Sequence, residues 1–433
     1  MTAFIDGDSY FADLVGAIRA LSGPDGFVEL AGWDVAPDFE LVPGDPTSTV
    51  RALLTAASAR GVAVRALLNL HQSHPFATGT VTGYDNTAAV ALVNGLPTGA
   101  AVHDDRYLYA GTHHQKIVVV GSADSLVAYS GGMDLNPNRL STGPGRTRHD
   151  VQLRVEGPAA HDHVDIVARR WSDHPATATL PPLPAPPEPR PAGRLQAQVV
   201  TTFGDGTARA GIGPGSGAVT PGYTFAPSGD RSVSQLVHHA ISTARRFIYL
   251  EDQYLVNTAV SDALVAALGR IERLVILVAD TPSINKDLVQ GWRRRRAFLD
   301  PLIRAAPEKV SVCEGRRYFV HSKAWIFDDE FAIVGSANCN RRGYTHDSEQ
   351  AVGLYDGPAQ DSWVRDLRTR LWAKHLHLPP AQLRDPLAAA EAWDSPPARA
   401  DVVLYDPAGG TDNVAFPRGT DFFWDSLVDP AGS

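Results

Sequence analysis

The chain has 433 residues, 39 basic and 48 acidic side chains, a formal charge of -9, 44% apolar residues and 20% charged ones. This is the composition of an ordinary soluble globular protein, long enough for two to three domains at roughly 150 residues each. It excludes a disordered chain, a general nucleic-acid binder, whose phosphate contacts call for a basic domain, and a membrane-spanning enzyme, since runs such as 117–120 and 274–279 fall far short of the roughly 18 apolar residues a span needs.

Residues 1–10 lack the basic and apolar pattern of a signal peptide, so a cytoplasmic location is expected over a secreted one with its signal removed. Residues 11–21 have helical periodicity, 26–30 read as a strand, 50–59 as a helix and 61–68 as a strand, a βαβ rhythm. The proline-rich run 181–191 fixes so many φ angles that it reads as a semi-rigid linker. A loop rich in Gly, Pro and Thr follows at 201–227; its glycines at 211–217 lack phosphate-loop spacing, and it reads as a mobile surface loop, with a lid as the functional alternative. The first rhythm then returns, with a helix at 233–244, a strand at 246–250, a helix at 261–268 and a strand at 273–278. The chain therefore reads as two copies of one α/β unit, at 1–178 and 194–380, joined by a linker at 179–193. The extension 381–433 is expected to cover the domain interface or strut one lobe. Cys313 and Cys339 exclude a disulfide-dense scaffold and a thiolate zinc site, and leave one disulfide or two buried thiols.

Each copy contains a histidine two residues before a lysine, then an apolar run: His114-Gln-Lys116 before 117–120, and His321-Ser-Lys323 before 324–327. On a strand, residues i and i+2 share one face about 7 Å apart, so each His-Lys pair points together while Gln115 and Ser322 point away. Seventeen residues after His114 comes Gly131-Gly-Met-Asp134, and fourteen after His321 comes Gly335-Ser-Ala-Asn338. Asp124 and Asp328 each lie seven residues before those turns, so a three-residue insertion at 121–123 reconciles the copies. Counted directly from His114, the place of Asp328 is held by Gly121.

This doubled pattern resembles the paired HKD motifs of the phospholipase D superfamily, and the likeness spans roughly residues 5–380. It includes Gly32-Trp33, residues 61–65, Arg148-His-Asp150, Glu156-Gly-Pro158, residues 248–254 and Asp347-Ser-Glu349. The GGMD turn and the His-Asp after it look most like the phospholipid-cleaving branch. The resemblance implies two similar α/β/α sandwich domains, each a mixed sheet flanked by helices, about a pseudo-two-fold axis, with one active site between them. It implies His114 as nucleophile and His321 as general acid, although the near-symmetric copies do not by themselves order the two. Lys116, Lys323 and Asn338 would stabilise phosphoryl oxygens. Asp134, an acceptor only when ionised, would meet a histidine, lysine or headgroup. Glu349 and Asp150, 28 residues after His321 and 36 after His114, are the acids expected to fix the imidazole tautomers. Gly132, Ser336 and Trp325 are assigned to substrate binding, with Trp33 and Tyr254 as further cleft or core aromatics.

Other readings are plainer. His71, His74, His103 and His113 lack zinc-site spacing, and neither a metal nor another cofactor is expected. The run Trp292-Arg-Arg-Arg-Arg296 reads as a solvated helix, with an anionic lipid surface as the alternative. The function implied is phosphodiester hydrolysis of phospholipid, with transfer to another alcohol open to the same intermediate. A small-metabolite phosphodiesterase or transferase, a nuclease and, last, a non-catalytic binding module are the alternatives. Cardiolipin synthesis is disfavoured because such relatives carry membrane spans. The partners expected are a phospholipid or other phosphodiester and a transient membrane surface, not nucleic acid, acting on a monomer.

Overall fold

A computed structural model describes residues 1–70, 85–106, 111–205, 222–287 (backbone only at 285–287), 290–358, 361–407, 424, 428 and 429. His71, His74 and the 211–217 glycines lie outside the described residues. The strands in chain order are β1 (Thr2–Ile5), β2 (Phe27–Gly32), β3 (Ala63–Asn69), β4 (Gly99–Asp104), β5 (Lys116–Gly121), β6 (Leu126–Gly131), β7 (Arg148–His149) and β8 (Val151–Glu156). They continue as β9 (Gln196–Phe203), β10 (Asp230–Arg231), β11 (Phe247–Asp252), β12 (Arg273–Val278), β13 (Val310–Gly315), β14 (Phe319–Val320), β15 (Ala324–Phe327), β16 (Phe331–Gly335), β17 (Glu349–Tyr355) and β18 (Val402–Leu404).

One sheet runs β1-β8-β6-β5-β2-β3-β4 and the other β10-β9-β17-β16-β15-β11-β12-β13-β18. Without the edge strands β10 and β18 the two orders are the same, so the duplication seen in the motifs extends to the topology. In each, the βαβ side is parallel and the hairpin side antiparallel.

The helices are α1 (Gly7–Ala20), α2 (Val50–Ala59), α3 (Thr87–Asn94), α4 (Pro158–Asp173), α5 (Ser232–Thr243), α6 (Thr258–Ala267), α7 (Thr281–Asp287), α8 (Gly291–Ala305), α9 (Arg341–Thr345), α10 (Trp363–Leu376) and α11 (Pro386–Asp394). Strand alternation decides where they sit. On β2, Val28 and Leu30 face α1, α2 and α3, while Phe27 and Ala31 face a middle core that holds α4 and α10. On β11, Ile248 and Leu250 face α5, α6 and α8, while Phe247 and Tyr249 face the same middle core. The result is α/β/α/β/α layering, with β6 and β8 against β16 and β17 at the centre. Helix α2 shows the local logic. Thr49 caps it by accepting from Ala52 N at 3.0 Å, Val50, Leu53, Leu54 and Ala57 form its buried stripe, and Gly61 at φ 88° turns the chain into β3. Burying Leu53 and Leu54 contributes roughly 1.5–3 kcal/mol each.

The 181–191 stretch forms neither helix nor strand, and Arg65 Nε holds it by donating to the Pro182 carbonyl at 3.0 Å. The C-terminal extension braces the second sheet: β18 pairs with β13, and Trp393 of α11 packs on Tyr249 and Trp372. Cys313 and Cys339 are both buried and unpaired, which removes the disulfide option. Arg295 of the arginine run is buried and donates to the carbonyls of Tyr254 (3.1 Å), Gln253 (2.6 Å) and Ala279, so that part of the run is an internal clamp and not a solvated face.

The three-residue offset lies in the hairpin turn. Val120 pairs with Val127 across six residues, Phe327 pairs with Phe331 across three, and the strands beyond keep one register. Asp328 ties its turn to β11 by accepting from the backbone N–H groups of Arg245, Arg246 and Phe247 at 2.8, 2.8 and 2.9 Å. Gly121 cannot be an aspartate, because a Cβ there would stand 2.2 Å from Cζ of Phe27. Gly121→Ala should therefore lower stability by ~1–3 kcal/mol in urea unfolding, with part of the loss recovered by Phe27→Leu. Full stability of Gly121→Ala alone would refute this packing.

Glu29 on β2 is fully buried beside Arg65, and neither carboxylate oxygen has a hydrogen-bond partner among the described residues. Burial pushes its pKa up to about 8, against the pull of Arg65. The folded state then keeps a proton that the unfolded chain releases near its usual 4.5, so stability falls as pH rises from there to about 8. Glu29→Met should gain stability relative to wild type as pH rises from 4 to 8, on the order of 1–3 kcal/mol across the window. A difference that stays flat with pH would contradict this.

Candidate active site

The two His-x-Lys segments lead into β5 and β15 and are not strand interiors, as the sequence reading had them. Each is instead pinned to the opposite half. His114 N donates to Ser348 O and Ser348 N to Thr112 O, both at 2.9 Å. In the second copy β14 pairs in parallel with β7, and His321 N donates to His149 O at 2.9 Å. The chain is extended there, so each lysine folds back on its own histidine: Lys116 Nζ donates to His114 O at 2.8 Å, and Lys323 Nζ to His321 O. Gln115 and Ser322 point the other way, onto Glu349 O (3.1 Å) and Glu251 Oε2 (2.5 Å).

These clasps end in the acids. Glu349 follows Ser348, and its carboxylate lies 2.8 and 3.0 Å from His114 Nδ1. Asp150 follows His149, with Oδ2 2.6 Å from His321 Nδ1. The acids thus serve the histidine of the other half, the reverse of what sequence spacing suggests. A neutral imidazole that donates Nδ1–H to a carboxylate presents the lone pair of Nε2.

Two expected substrate contacts become supports. Ser336 is fully buried, donates to Glu349 Oε2 and accepts from Gln350 N at 3.1 Å. At Gly132 a Cβ would stand 2.1 Å from Asp150 Oδ1, so the missing side chain is the space the carboxylate occupies. Trp325 does share the Lys323 face, but α5, α6 and α8 cover that face; it is 2% exposed and lies near Phe327 in the outer core. Trp33 is edge-on to His114 at 5.9 Å, with Lys116 Nζ 5.5 Å from its ring, and Phe319 lies 6.2 Å from the His321 ring. Tyr254 packs with Val256, Ile284 and Trp424. Asn338 is 7% exposed, and its Oδ1 has no hydrogen-bond partner among the described residues.

Two residues here escape sequence reasoning. Gln253 Oε1 accepts from Lys323 Nζ at 3.2 Å, in the place Trp33 takes in the first copy. Buried Arg139 donates from Nη2 to Asp134 Oδ2 at 2.8 Å, and Lys116 Nζ lies 3.5 Å from Asp134 Oδ1. The position matching Arg139 in the second copy is Gly343, so the repeat gave no signal for it.

Burial lowers both histidines well below the usual 6.5, His114 with help from Lys116 and Lys323 and His321 with help from Arg139 and Lys323. It pushes Glu349 up to about 7 against Lys116 and Ser336, and raises Asp150. Lys323 falls to about 7 because burial outweighs Asp150 and Asp252. Burial alone would raise Asp134, but Lys116 and Arg139 hold it below the carboxylate range. The site therefore sets neutral imidazoles beside two buried lysines.

His113 Nδ1 lies 2.9 Å from Asp104, which Arg170 also meets, and has no part in the site. His149, Glu251 and His375 have metal-like spacing, their ligand atoms within 4.8 Å of one another. Every one of those atoms is already used. Both imidazoles reach Glu251 through Nε2 at 2.8 Å, Tyr249 and Ser322 donate to it at 2.5 Å, and Asp6 lies 2.8 Å from His149 Nδ1. The donor set fits a hydrogen-bonded strut and not a metal. Among the described residues, no helix is long and apolar enough to cross a membrane.

Residues 237–372 match the family model described as "Cardiolipin synthase, PLD-like domain". Phospholipase D alpha 1 of Vigna unguiculata is 26% identical over 418 aligned residues, covering 64% of this chain and 50% of that protein. Cardiolipin synthase A of Cronobacter sakazakii is 25% identical over 350, covering 77% of this chain and 65% of that protein. The chain thus spans half to two thirds of the length of these relatives. In fold it is similar to the phosphatidylserine synthase of Haemophilus influenzae Rd KW20, with a TM-score of 0.56, 12% identity, and coverage of 93% of this chain and 87% of that one. The doubled motif, the repeated sheet and these likenesses agree in making the chain similar to members of the phospholipase D superfamily, with the family model itself matching the second half.

Proposed function

We propose that the protein cleaves the distal phosphodiester of a glycerophospholipid through a phosphohistidine, releasing the headgroup alcohol and passing the phosphatidyl group to water or another alcohol. The observation that carries this is the crossed pair of Nδ1-carboxylate bonds, which leaves both Nε2 atoms for chemistry beside two buried lysines. His114 is the nucleophile: its side chain is 13% accessible, against 5% for His321. Its Nε2 bonds to phosphorus as the P–O bond to the headgroup breaks, and His321 gives the departing oxygen a proton. His321 then takes a proton from the acceptor, whose oxygen displaces His114. Lys116, Lys323 and Asn338 stabilise the equatorial oxygens. An anionic diester also offsets the lysines that hold His321 neutral, so binding favours the protonated acid.

A second reading, a phosphatidyl transferase, draws on the family model and on the cardiolipin synthase relative. The two share the phosphoenzyme and differ in acceptor. Cardiolipin synthesis, disfavoured from the sequence because such relatives carry membrane spans, is one outcome of that choice of acceptor.

Vesicles of phosphatidylcholine and phosphatidylethanolamine with ethanol should yield phosphatidate and phosphatidylethanol by mass spectrometry, and His114→Ala should lose at least ~10²–10⁴-fold of that rate. Cardiolipin from phosphatidylglycerol vesicles would favour the transferase reading, and no product from folded wild type on either lipid would sink both. The kcat/KM profile should be a narrow bell near pH 7. Protonation of Glu349 below about 7 removes the acceptor for His114 Nδ1–H, and deprotonation of Lys323 above about 7 removes a phosphoryl partner. Glu349→Gln should abolish the acid limb at lower rate, and an unchanged acid limb would assign it elsewhere.

A further inference from the structure

Arg139 ends the 3-10 turn Pro137–Arg139 and is 1% exposed. Besides its bond to Asp134, its Nη1 lies 3.5 Å from Asp150 Oδ2, the oxygen that meets His321 Nδ1. One guanidinium thus stands between the acid beside Lys116 and the acid behind His321. The turn is held from outside by the start of α1. Gly7 approaches so closely that a Cβ there would be 2.5 Å from the Arg139 carbonyl oxygen, and Asp8 accepts from Ser141 N and Oγ at 3.1 and 2.9 Å. The second copy has glycine at the matching position, and the arginine beside it, Arg342, pairs with Asp347 instead.

A buried carboxylate without a counter-charge takes up a proton and ceases to orient an imidazole. We propose that Arg139 is a positioning residue that keeps Asp150 ionised and aimed at His321 while tying it to the Lys116-Asp134 pair of its own half. The proposal rests on the phosphohistidine reading for its kinetic arm only. The charged groups facing His321 are Asp150, Lys323, Arg139, Arg148 and Lys116, and those facing Arg139 are Asp134, Asp150, Lys116, Lys323, His321 and, further off, Asp34. Removing Arg139 lets both Asp150 and His321 hold protons to higher pH, since the cation opposes protonation of each.

The test uses the full chain with Arg139→Lys, Arg139→Met, Asp150→Asn and the Met/Asn double variant. On phosphatidylcholine vesicles, Arg139→Met should lower kcat by ~10–100-fold with little change in KM, and the alkaline limb of its pH profile should move to higher pH, since the guanidinium opposes the Lys323 ammonium. Arg139→Lys should recover part of the rate and of the profile, and the double variant should be no slower than Asp150→Asn. Independently of any substrate, 15N-histidine NMR, with His321 assigned through His321→Gln, should show its titration midpoint at higher pH in Arg139→Met. Inactive wild type would overturn the proposed function and leave the NMR arm to decide on Arg139. An unmoved His321 midpoint, additive rate losses, or a rate loss that only follows the folded fraction by circular dichroism would overturn the role of Arg139. Should the methionine variant not fold, the lysine variant decides by the same shift.

Discussion

Everything at the centre of the molecule depends on a few backbone hydrogen bonds between halves. The parallel contacts of Ser348 with Thr112 and His114, and of β14 with β7, join each histidine segment to the segment carrying the other half's acid. Side chains one residue further on then meet without long reaches, so Glu349 finds His114 and Asp150 finds His321. The geometry of the candidate site is thus part of the inter-half interface. The sheets supply rigidity behind them, and the strut formed by His149, Glu251, His375 and Ser322 fixes the second clasp from below.

The two halves share geometry but not electrostatics. Lys116 sits near the ring of Trp33 and within reach of an ionised Asp134, whereas Lys323 donates to the amide of Gln253 and has neutral Asn338 at the place of Asp134. Arg139 bonds Asp134 on one side, whereas Arg342 on the other bonds Asp347. A symmetric pair of histidines would compete for both roles; unequal surroundings let one remain a base while the other accepts a proton when an anion arrives.

Much of this was legible in the residues. The doubled His-x-Lys with matched glycine turns located the two histidines and two lysines that converge at the candidate site, and the two-sheet plan, because a repeat constrains spacing in both copies at once. The element positions for α2 and β12 followed from periodicity alone. The exchange of acids was not legible, since chain distance says nothing about which half an edge segment pairs with. Nor was burial of Trp325, because alternation places it on a face without saying what covers that face. Ser336 and Gly132 were read as substrate contacts for lack of any sign that a carboxylate occupied the space beside them. Arg139 and Gln253 carried no repeat signal because their counterparts, Gly343 and Trp33, are chemically unrelated.

The crossed acids also bear on descent. In this fold each histidine takes its acid from the other copy, so a single copy would need a second one facing it to form the same pair. In such a pair every substitution appears twice, once on each side of the axis. Joining the copies end to end removed that constraint, and the differences between Asp134 and Asn338, Trp33 and Gln253, or Gly121 and Asp328 are changes only a fused chain can make on one side at a time.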